Sequence, residues 1–187
     1  VLNVNLLAAG ICSGDSPIYT LSSLTPGVII SWERLDNESI AESPRVVTSN
    51  IIDEVLTNLT QKTINVRYAV TLEMGSCINV QYVTVPVFPI PVLTSDLQEG
   101  QICSGGTFMY QATTAVKNAT ITWKRQSNSA LLEPEDMAFV PMPISEAVLT
   151  NTTAIPIVVK YDVKIEANGC SNTQEVEVVV GPTLLLT

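Results

Sequence analysis

Hydrophobic and polar residues alternate one by one along several segments of the chain. In the clearest segment Val66, Tyr68, Val70 and Leu72 alternate with polar or small residues. Successive side chains of a β-strand point to opposite faces of a sheet, so this period predicts a strand with one face in a core and the other in water. A second segment repeats the pattern, with its core positions at Val159, Tyr161, Val163 and Ile165.

Other segments predict shorter strands and the turns between them. Trp32 and Trp123 each follow an isoleucine two residues earlier, which predicts a short strand with the tryptophan pointing inward. Gly75-Ser76 and Asn168-Gly169 supply residues that tolerate the positive φ of a tight hairpin. Valines at every second position predict the final strands, at Val83, Val85 and Val87 and at Val176, Val178 and Val180. Segments with a helical period are missing, so the sequence predicts an all-β fold.

The chain also contains an internal repeat of about 90 residues. The Ile-Cys-Ser-Gly segment at residues 11–14 recurs at residues 102–105, a spacing of 91 that also relates Trp32 to Trp123. Further along, the Val-Leu-Thr-Asn segment at residues 55–58 recurs 93 residues later, so the second copy gains two residues after Arg125. A copy of this length builds its own core. We therefore predict two tandem immunoglobulin-like β-sandwich domains, 1–88 and 89–187.

Four cysteines fall two in each copy at matching positions. Three connectivities are open to four cysteines, and the equivalence of the copies favours closure within each copy, Cys12 with Cys77 and Cys103 with Cys170. Zinc sites and redox pairs use closely spaced ligands, which are absent here. Structural disulfides form in oxidising compartments, so the prediction places the protein outside the cytoplasm.

The composition excludes several classes of function. The chain has no histidine, so catalytic triads and dyads that need one are excluded, and we predict neither an enzyme nor a cofactor or metal. The net charge of −9 disfavours nucleic acid, which binds clustered lysine and arginine. Prolines at 86, 89 and 91 interrupt the most hydrophobic stretch, so we expect no direct insertion into a membrane.

Aromatic residues suggest which positions are core and which could contact a ligand. The repeat-matched aromatics Trp32, Trp123, Tyr68 and Tyr161 are predicted to lie in the cores. The longest irregular stretch, 126–147, carries Met137, Phe139 and Met142, which form our candidate contact surface because binding usually resides on loops. Alternatively, these apolar groups cover a sheet edge or pack on a neighbouring domain.

The motifs together resemble a known family. The Ile-Cys-Ser-Gly opening, the tryptophan 20 residues after the cysteine, the Val-Leu-Thr-Asn segment and the second cysteine before a Val-x-Val strand resemble PKD-like, immunoglobulin-like repeats. Such repeats occur in very large secreted surface proteins of gliding and gut diderm bacteria, including gliding-motility adhesins and other type IX secretion cargo. The resemblance covers residues 11–86 and 102–180.

The resemblance implies a non-catalytic structural or adhesive module on the bacterial cell surface. The flanking domains of the same polypeptide are then its expected partners, together with a surface glycan or protein ligand. Two alternatives stay open: a dedicated glycan- or protein-binding module of an adhesion or nutrient-uptake system, and an accessory domain of a secreted hydrolase.

Overall fold

The computed structural model describes residues 1–2, 5–135 and 138–184. The chain divides into two compact units, Val1–Ile90 and Pro91–Thr187, which we call module 1 and module 2. Equivalent positions of the two modules are related by the sequence repeat, and we describe each module by itself.

The described part of module 1 contains seven strands in two sheets. The larger sheet has the strand order β1-β7-β6-β3-β4, and β2 pairs with β5 in the smaller sheet. The strands are β1 (Ile11–Cys12), β2 (Tyr19–Thr20), β3 (Ile29–Arg34), β4 (Val46–Val47), β5 (Ile51–Ile52), β6 (Ile64–Met74) and β7 (Cys77–Phe88).

Module 2 repeats this arrangement strand for strand over the residues that the structure describes. Its larger sheet has the order β11-β10-β13-β14-β8, and β12 pairs with β9. The strands are β8 (Gln98–Ile102), β9 (Gly106–Tyr110), β10 (Thr120–Arg125), β11 (Val140–Pro141), β12 (Ile144–Leu149), β13 (Ile157–Ala167) and β14 (Cys170–Val180).

The long hairpin of each module forms where the alternation predicts it. β6 and β7 are joined by Gly75-Ser76, and β13 and β14 by Asn168-Gly169. Gly75, Asn168 and Gly169 have positive φ, the backbone conformation that tight two-residue hairpins require. The valines and the tyrosine that the alternation assigns to the core are buried in both hairpins.

The two cores are built from equivalent aromatic residues. In module 1 the rings of Trp32 and Tyr68 meet edge to face, with centroids 5.5 Å apart. Trp123 and Tyr161 meet in the same manner in module 2, at 5.7 Å. All four side chains are buried, and aliphatic residues from both sheets surround them. Each module is an all-β, immunoglobulin-like sandwich with a core of its own, as the sequence predicted.

The two additional residues of module 2 enter at separate points. Buried Ile52 corresponds to buried Ile144, a spacing of 92, so one residue enters before β12. The pairing of β12 with β9 shifts between Glu146 and Leu149, where a bulge accommodates the other residue. The stretch 126–147, which the sequence indicated as irregular, therefore contains β11 and the start of β12.

In both modules the first strand pairs in parallel with the last strand. Ile11 and Cys12 lie beside Val87 and Phe88 of β7. β8 lies beside β14 in the same way, with Ile102 opposite Val180. Parallel pairing places the start of the first strand and the end of the last strand at opposite ends of one hydrogen-bonded ladder.

Candidate functional site: cysteine positions and outer sheet faces

A buried asparagine joins the two sequence motifs that define the repeat. In module 1 the Nδ2 group of Asn58 donates to the carbonyl oxygens of Lys62 and Val87, at 2.7 and 2.9 Å. The Asn58 backbone N–H donates to Ser13 Oγ at 2.9 Å. Gly14, whose φ is +91°, donates its N–H to the carbonyl of Leu56. The Ile-Cys-Ser-Gly and Val-Leu-Thr-Asn segments therefore hold one another in place.

Module 2 has the same hydrogen bonds. Asn151 Nδ2 donates to the carbonyl oxygens of Ile155 and Val180, and the Asn151 N–H donates to Ser104 Oγ at 3.0 Å. Gly105 again donates to a backbone carbonyl, here that of Leu149. Both asparagines lie in Asn-x-Thr sequences, but their amide groups are buried and occupied by these bonds. The threonine hydroxyl of each sequence donates a hydrogen bond back to the asparagine Oδ1.

The cysteines are not paired as the sequence predicted. The described structure contains a disulfide, but Cys77 and Cys103 are exposed free thiols in it. The predicted bonds Cys12–Cys77 and Cys103–Cys170 are therefore wrong. The equivalence of the two copies, which favoured closure within each copy, is a property of the sequence and says nothing about the distance between the cysteines.

The strand register explains why a bond within a module cannot form. Cys12 lies beside Phe88, the last residue of β7, whereas Cys77 is the first residue of β7, eleven residues away. A strand rises about 3.3 Å per residue, which separates the two cysteines by roughly 36 Å. A disulfide needs Cα atoms within about 7 Å of one another. Cys103 and Cys170 likewise lie at opposite ends of β14.

Module 1 buries an arginine together with a carboxylate. Arg34 is fully buried, and its Nε lies 2.8 Å from Glu54 Oε1. Its Nη2 donates to the carbonyl oxygens of Glu42 and Ser43. Burial raises the pKa of Tyr68 far above its ordinary value, and the nearby Glu54 carboxylate raises it further. The phenol therefore stays protonated, and the arginine is neutralised inside the sandwich.

Module 2 carries the corresponding pair in a more open setting. Arg125 Nη1 lies 3.0 Å from Glu146 Oε1, and Nη2 donates to the carbonyl oxygens of Glu133 and Pro134. The Glu146 side chain is 16% exposed, compared with 6% for Glu54. These buried ion pairs have the geometry of structural interactions, because in both modules the arginine Nη2 also donates to two backbone carbonyl oxygens.

A second glutamate in each module accepts a hydrogen bond from the Val-Leu-Thr-Asn segment. Thr57 donates its N–H to Glu42 Oε2, and Thr150 donates its N–H to Glu133 Oε2, both at 2.8 Å. Partial burial acts to raise the pKa of each carboxyl, but the hydrogen bonds from the threonine outweigh it. The pKa of Glu42 and that of Glu133 are therefore both lowered.

The outward face of the larger sheet is apolar in module 1. Ile78, Val80 and Tyr82 of β7 point away from the core and are 65%, 47% and 47% exposed. Their partners on β6 include uncharged residues such as Ala69, which lies opposite Tyr82. The Arg67 guanidinium lies over the Tyr82 ring, 4.6 Å from its centroid. This surface, the outer face of module 1, forms a strip along one strand.

The outward face of module 2 is polar at the same positions. Ser171, Thr173 and Glu175 replace the apolar strip on β14. Lys160 Nζ lies 2.6 Å from Glu175 Oε1 and 3.0 Å from Glu177 Oε1. The hydrogen bond between Lys160 and Glu175 raises the pKa of the lysine and lowers that of the glutamate. This outer face of module 2 is therefore polar, with its charges paired across the strands.

The structure describes two of the three contact residues that the sequence singled out. Phe139 is 40% exposed, and Lys124 Nζ lies above its ring, 5.3 Å from the centroid. Met142 is half-buried and packs on the core of module 2. Met137 lies outside the described residues. The outer face of module 1 was not predicted, although Ile78, Val80 and Tyr82 alternate with polar residues in the sequence.

The described residues hold no cluster of three or more acidic, cysteine or histidine side chains that could bind a metal ion. A shallow groove lies at the hairpin end of module 1, lined by Val28, Leu72, Met74, Cys77 and Ile78. In the described part of the chain no helix is long and apolar enough to cross a membrane.

Comparison with known proteins agrees with this fold. Residues 9–91 match the family model of the PKD-like domain. Among solved structures, a titin fragment of domains I67–I69 with Glu-to-Ala mutations is 12% identical with a TM-score of 0.46, and it covers 96% of this chain. Extracellular domains 3–5 of Drosophila OTK are 10% identical with a TM-score of 0.45, again covering 96% of this chain.

The first two immunoglobulin domains of DIP-gamma are 10% identical with a TM-score of 0.44, and the match covers 98% of both chains. The chain spans 65% of the titin fragment and 62% of the OTK fragment. No curated protein matches the chain.

The family match lies almost entirely within module 1 and covers less than half of the chain. The family match and the two sandwiches support a PKD-like, immunoglobulin-like repeat, a kind of domain that is generally non-catalytic. Together with the disulfide, they suggest an extracellular module.

Proposed function

We propose that this chain is a structural and adhesive segment of a large extracellular protein on a bacterial surface, where it extends or displays other domains and carries tension. The observation that carries the proposal is the parallel pairing of the first and last strands in each module. The expected partners are flanking domains of the same polypeptide.

Parallel terminal strands determine how a module responds to being pulled. Tension enters a module through its first strand and leaves through its last strand. Because these strands run in parallel, pulling slides one past the other and loads their hydrogen bonds together. In module 1 these bonds include Ala8 N–H to Thr84 O at 2.9 Å, Thr84 N–H to Leu6 O at 2.9 Å, and Ser13 N–H to Phe88 O at 2.8 Å.

Single-molecule force spectroscopy of the reduced protein tests the proposal. Reduction keeps the disulfide out of the path of the force. Ala8→Pro removes the N–H that donates to Thr84, so we expect module 1 to unfold at a lower force while module 2 keeps its own unfolding force. Module 2 thereby serves as a reference in every pulled molecule.

Ala9→Pro is the matched control. Ala9 is exposed, and its N–H has no acceptor among the described residues, so this proline removes no bond of the ladder. If Ala8→Pro lowers the unfolding force no more than Ala9→Pro does, the parallel strands do not carry the load and the proposal fails. A chemical denaturation curve for each variant separates mechanical weakening from a general loss of stability.

The outer face of module 1 favours a second function, the binding of a protein or glycan ligand. Three exposed apolar side chains on one strand, with an arginine over the tyrosine, are unusual for a solvated surface and typical of a contact surface. Tyr82→Glu introduces the residue that module 2 has at this position. Adhesion of protein-coated beads to bacterial surface material should fall with Tyr82→Glu, and should persist with Phe139→Ala.

A further inference from the structure

The hairpin end of β7 is an open edge of the larger sheet in module 1. Further along the strand, Thr84 donates its N–H to Leu6 O and accepts from Ala8 N–H on this side. Backbone groups alternate between the two sides of a strand, so Ile78 and Val80 point theirs to the same side as Thr84. No backbone group of a described residue bonds them there. This edge therefore presents donors and acceptors that a further strand can take up.

The side chains on this open edge carry no charge. Residues 77–82 contain neither an acid nor a base, although the whole chain has a net charge of −9. Natural proteins protect the edges of their sheets with charged side chains. Module 2 follows this rule, because Glu175, paired with Lys160, occupies the position of Tyr82. The edge of module 1 lacks such protection and exposes the apolar strip instead, which favours another strand as its occupant.

One acid and one base flank the apolar strip at its two ends. Glu73 lies opposite Ile78 on the neighbouring strand, and the Arg67 guanidinium lies over the Tyr82 ring. Six residues of β6 separate Glu73 from Arg67, which places their Cα atoms roughly 20 Å apart. Among the described residues neither side chain forms an ion pair. Each charge is therefore available to a partner.

We propose that the open edge binds β7 of a second copy of this chain, antiparallel and centred on Val80. Opposed residues of antiparallel strands exchange hydrogen bonds when their backbone groups face one another. Val80 then lies opposite Val80 of the second copy, and Ile78 lies opposite Tyr82 of the second copy. Because the contact is symmetric, the isoleucine–tyrosine pair forms twice. Pairs of an aromatic and a β-branched side chain stabilise antiparallel sheets.

The same register brings the two unpaired charges together. The row formed by Glu73 and Ile78 continues across the contact into Tyr82 of the second copy. Neighbouring strands lie about 4.8 Å apart, so roughly 10 Å separates the Cα atoms of Glu73 and that tyrosine. Arg67 of the second copy lies over the same ring, within reach of the Glu73 carboxylate. Two such ion pairs form by symmetry, and this complementarity favours a second copy over an unrelated strand.

The contact is small, which determines how strongly it binds. Pairing along one strand edge buries less than the roughly 800 Å² per partner of a standard stable interface. A single pair of chains should therefore associate weakly, and several contacts between two arrays of such modules would bind far more tightly. The inference rests on the second function proposed above, the binding of a ligand by the outer face of module 1, and names that ligand.

Sedimentation of the whole chain over a concentration series tests the proposal, with a non-reducing gel to exclude cysteine-linked dimers. The unmodified chain should pass from monomer to dimer as concentration rises. Val80→Pro removes the central N–H of the contact without removing a bond to β6, and should raise the dissociation constant about tenfold. Thr173→Pro is the matched control, because it changes the equivalent edge position of module 2 and should leave the dissociation constant unchanged. Circular dichroism checks that both variants fold.

Exchange of the two charges tests the register. Glu73→Arg and Arg67→Glu each set like charges against one another, so each variant alone should dimerise more weakly than the unmodified chain. An equimolar mixture of the two variants should recover the dimer, because both contacts of the mixed dimer again join unlike charges. A misfolded variant could not produce this recovery.

Three results would overturn the proposal. They are an unmodified chain that stays monomeric up to roughly 1 mM, a dimer weakened by Thr173→Pro but not by Val80→Pro, and a mixture no more dimeric than its components. If the chain is monomeric but Tyr82→Glu still abolishes bead adhesion, this inference alone fails and the outer face of module 1 binds another ligand.

Discussion

The two modules have equivalent cores and differ in the side chains that they expose to solvent. Strand order, aromatic pair, buried arginine and buried asparagine recur position by position. On the outer face, by contrast, Tyr82 under Arg67 in module 1 becomes Glu175 bonded to Lys160 in module 2. A cation–π contact between β6 and β7 is thus replaced by an ion pair between the equivalent strands, β13 and β14.

This difference shows that the surface of the repeat can change while its fold stays the same. Residues that face the core must satisfy packing and hydrogen bonding, so both copies keep them. Outward positions on a strand leave the core unchanged, because successive side chains alternate between faces. A protein built from such repeats can therefore vary the surface of each module without altering how the module folds.

The largest expected effect concerns the buried ion pair. Glu54→Ala leaves the Arg34 charge buried without its carboxylate and should lower the free energy of unfolding of module 1 by about 3 to 5 kcal/mol. Glu146→Ala should cost module 2 less, because the Glu146 side chain is more exposed than that of Glu54. Urea denaturation followed by the single tryptophan of each module, with the other changed to phenylalanine, measures the two costs. Equal losses would contradict the difference in burial.

The next effect is a shared sensitivity to acid. The folded-state pKa of Glu42 and of Glu133 lies below the ordinary value of 4.5, so each carboxylate contributes stability that is present above that pH. The contribution is lost as pH falls through the lowered folded-state pKa. Glu42→Gln should cost module 1 about 1 kcal/mol at neutral pH and reduce its acid sensitivity.

Glu133→Gln should have the same effect on module 2, since the two threonine bonds have the same length. Urea denaturation between pH 3 and pH 7, roughly spanning the usual titration range of a carboxyl, measures both variants. A loss of acid sensitivity in only one module would show that the two threonine–glutamate hydrogen bonds are not equivalent.

A smaller effect is expected from exchanging the outer faces. Ile78→Ser, Val80→Thr and Tyr82→Glu together give module 1 the strip of module 2. Because these side chains lie outside the core, the free energy of unfolding should change by less than about 1 kcal/mol. Binding of a hydrophobic dye and self-association in sedimentation experiments should fall. If instead module 1 unfolds, the outer face is part of its stability and not a separate surface.

Alternation in the sequence was sufficient to predict the long hairpins and the residues of the cores. Val66, Tyr68 and Val70 could be assigned to the core because residues two apart on a strand point to the same face of the sheet. The bulge at Glu146 could not be placed, because the spacing of the repeat shows that residues were gained but not where the strand absorbs them.

The cysteine pairing failed for a reason that local pattern cannot supply. The sequence placed Cys77 just after a turn and Cys12 near the first strand, but it did not show that the first strand pairs in parallel with the far end of β7. That pairing is non-local, and it alone separates the two cysteines. The outer face of module 1 was missed for a different reason: exposed apolar residues have meaning only once their neighbours on adjacent strands are known.

The smallest expected effect distinguishes the two cross-strand pairs. Double-mutant cycles on Arg67 with Tyr82, and on Lys160 with Glu175, should each give a small favourable coupling at low salt, because all four side chains are partly exposed. The coupling of the ion pair should shrink as salt is raised, since salt screens exposed charges. The arginine–tyrosine coupling should persist better, because the guanidinium also packs its flat face on the ring. If both couplings decline in parallel with salt, the two faces differ in composition but not in the physics that holds their strands together.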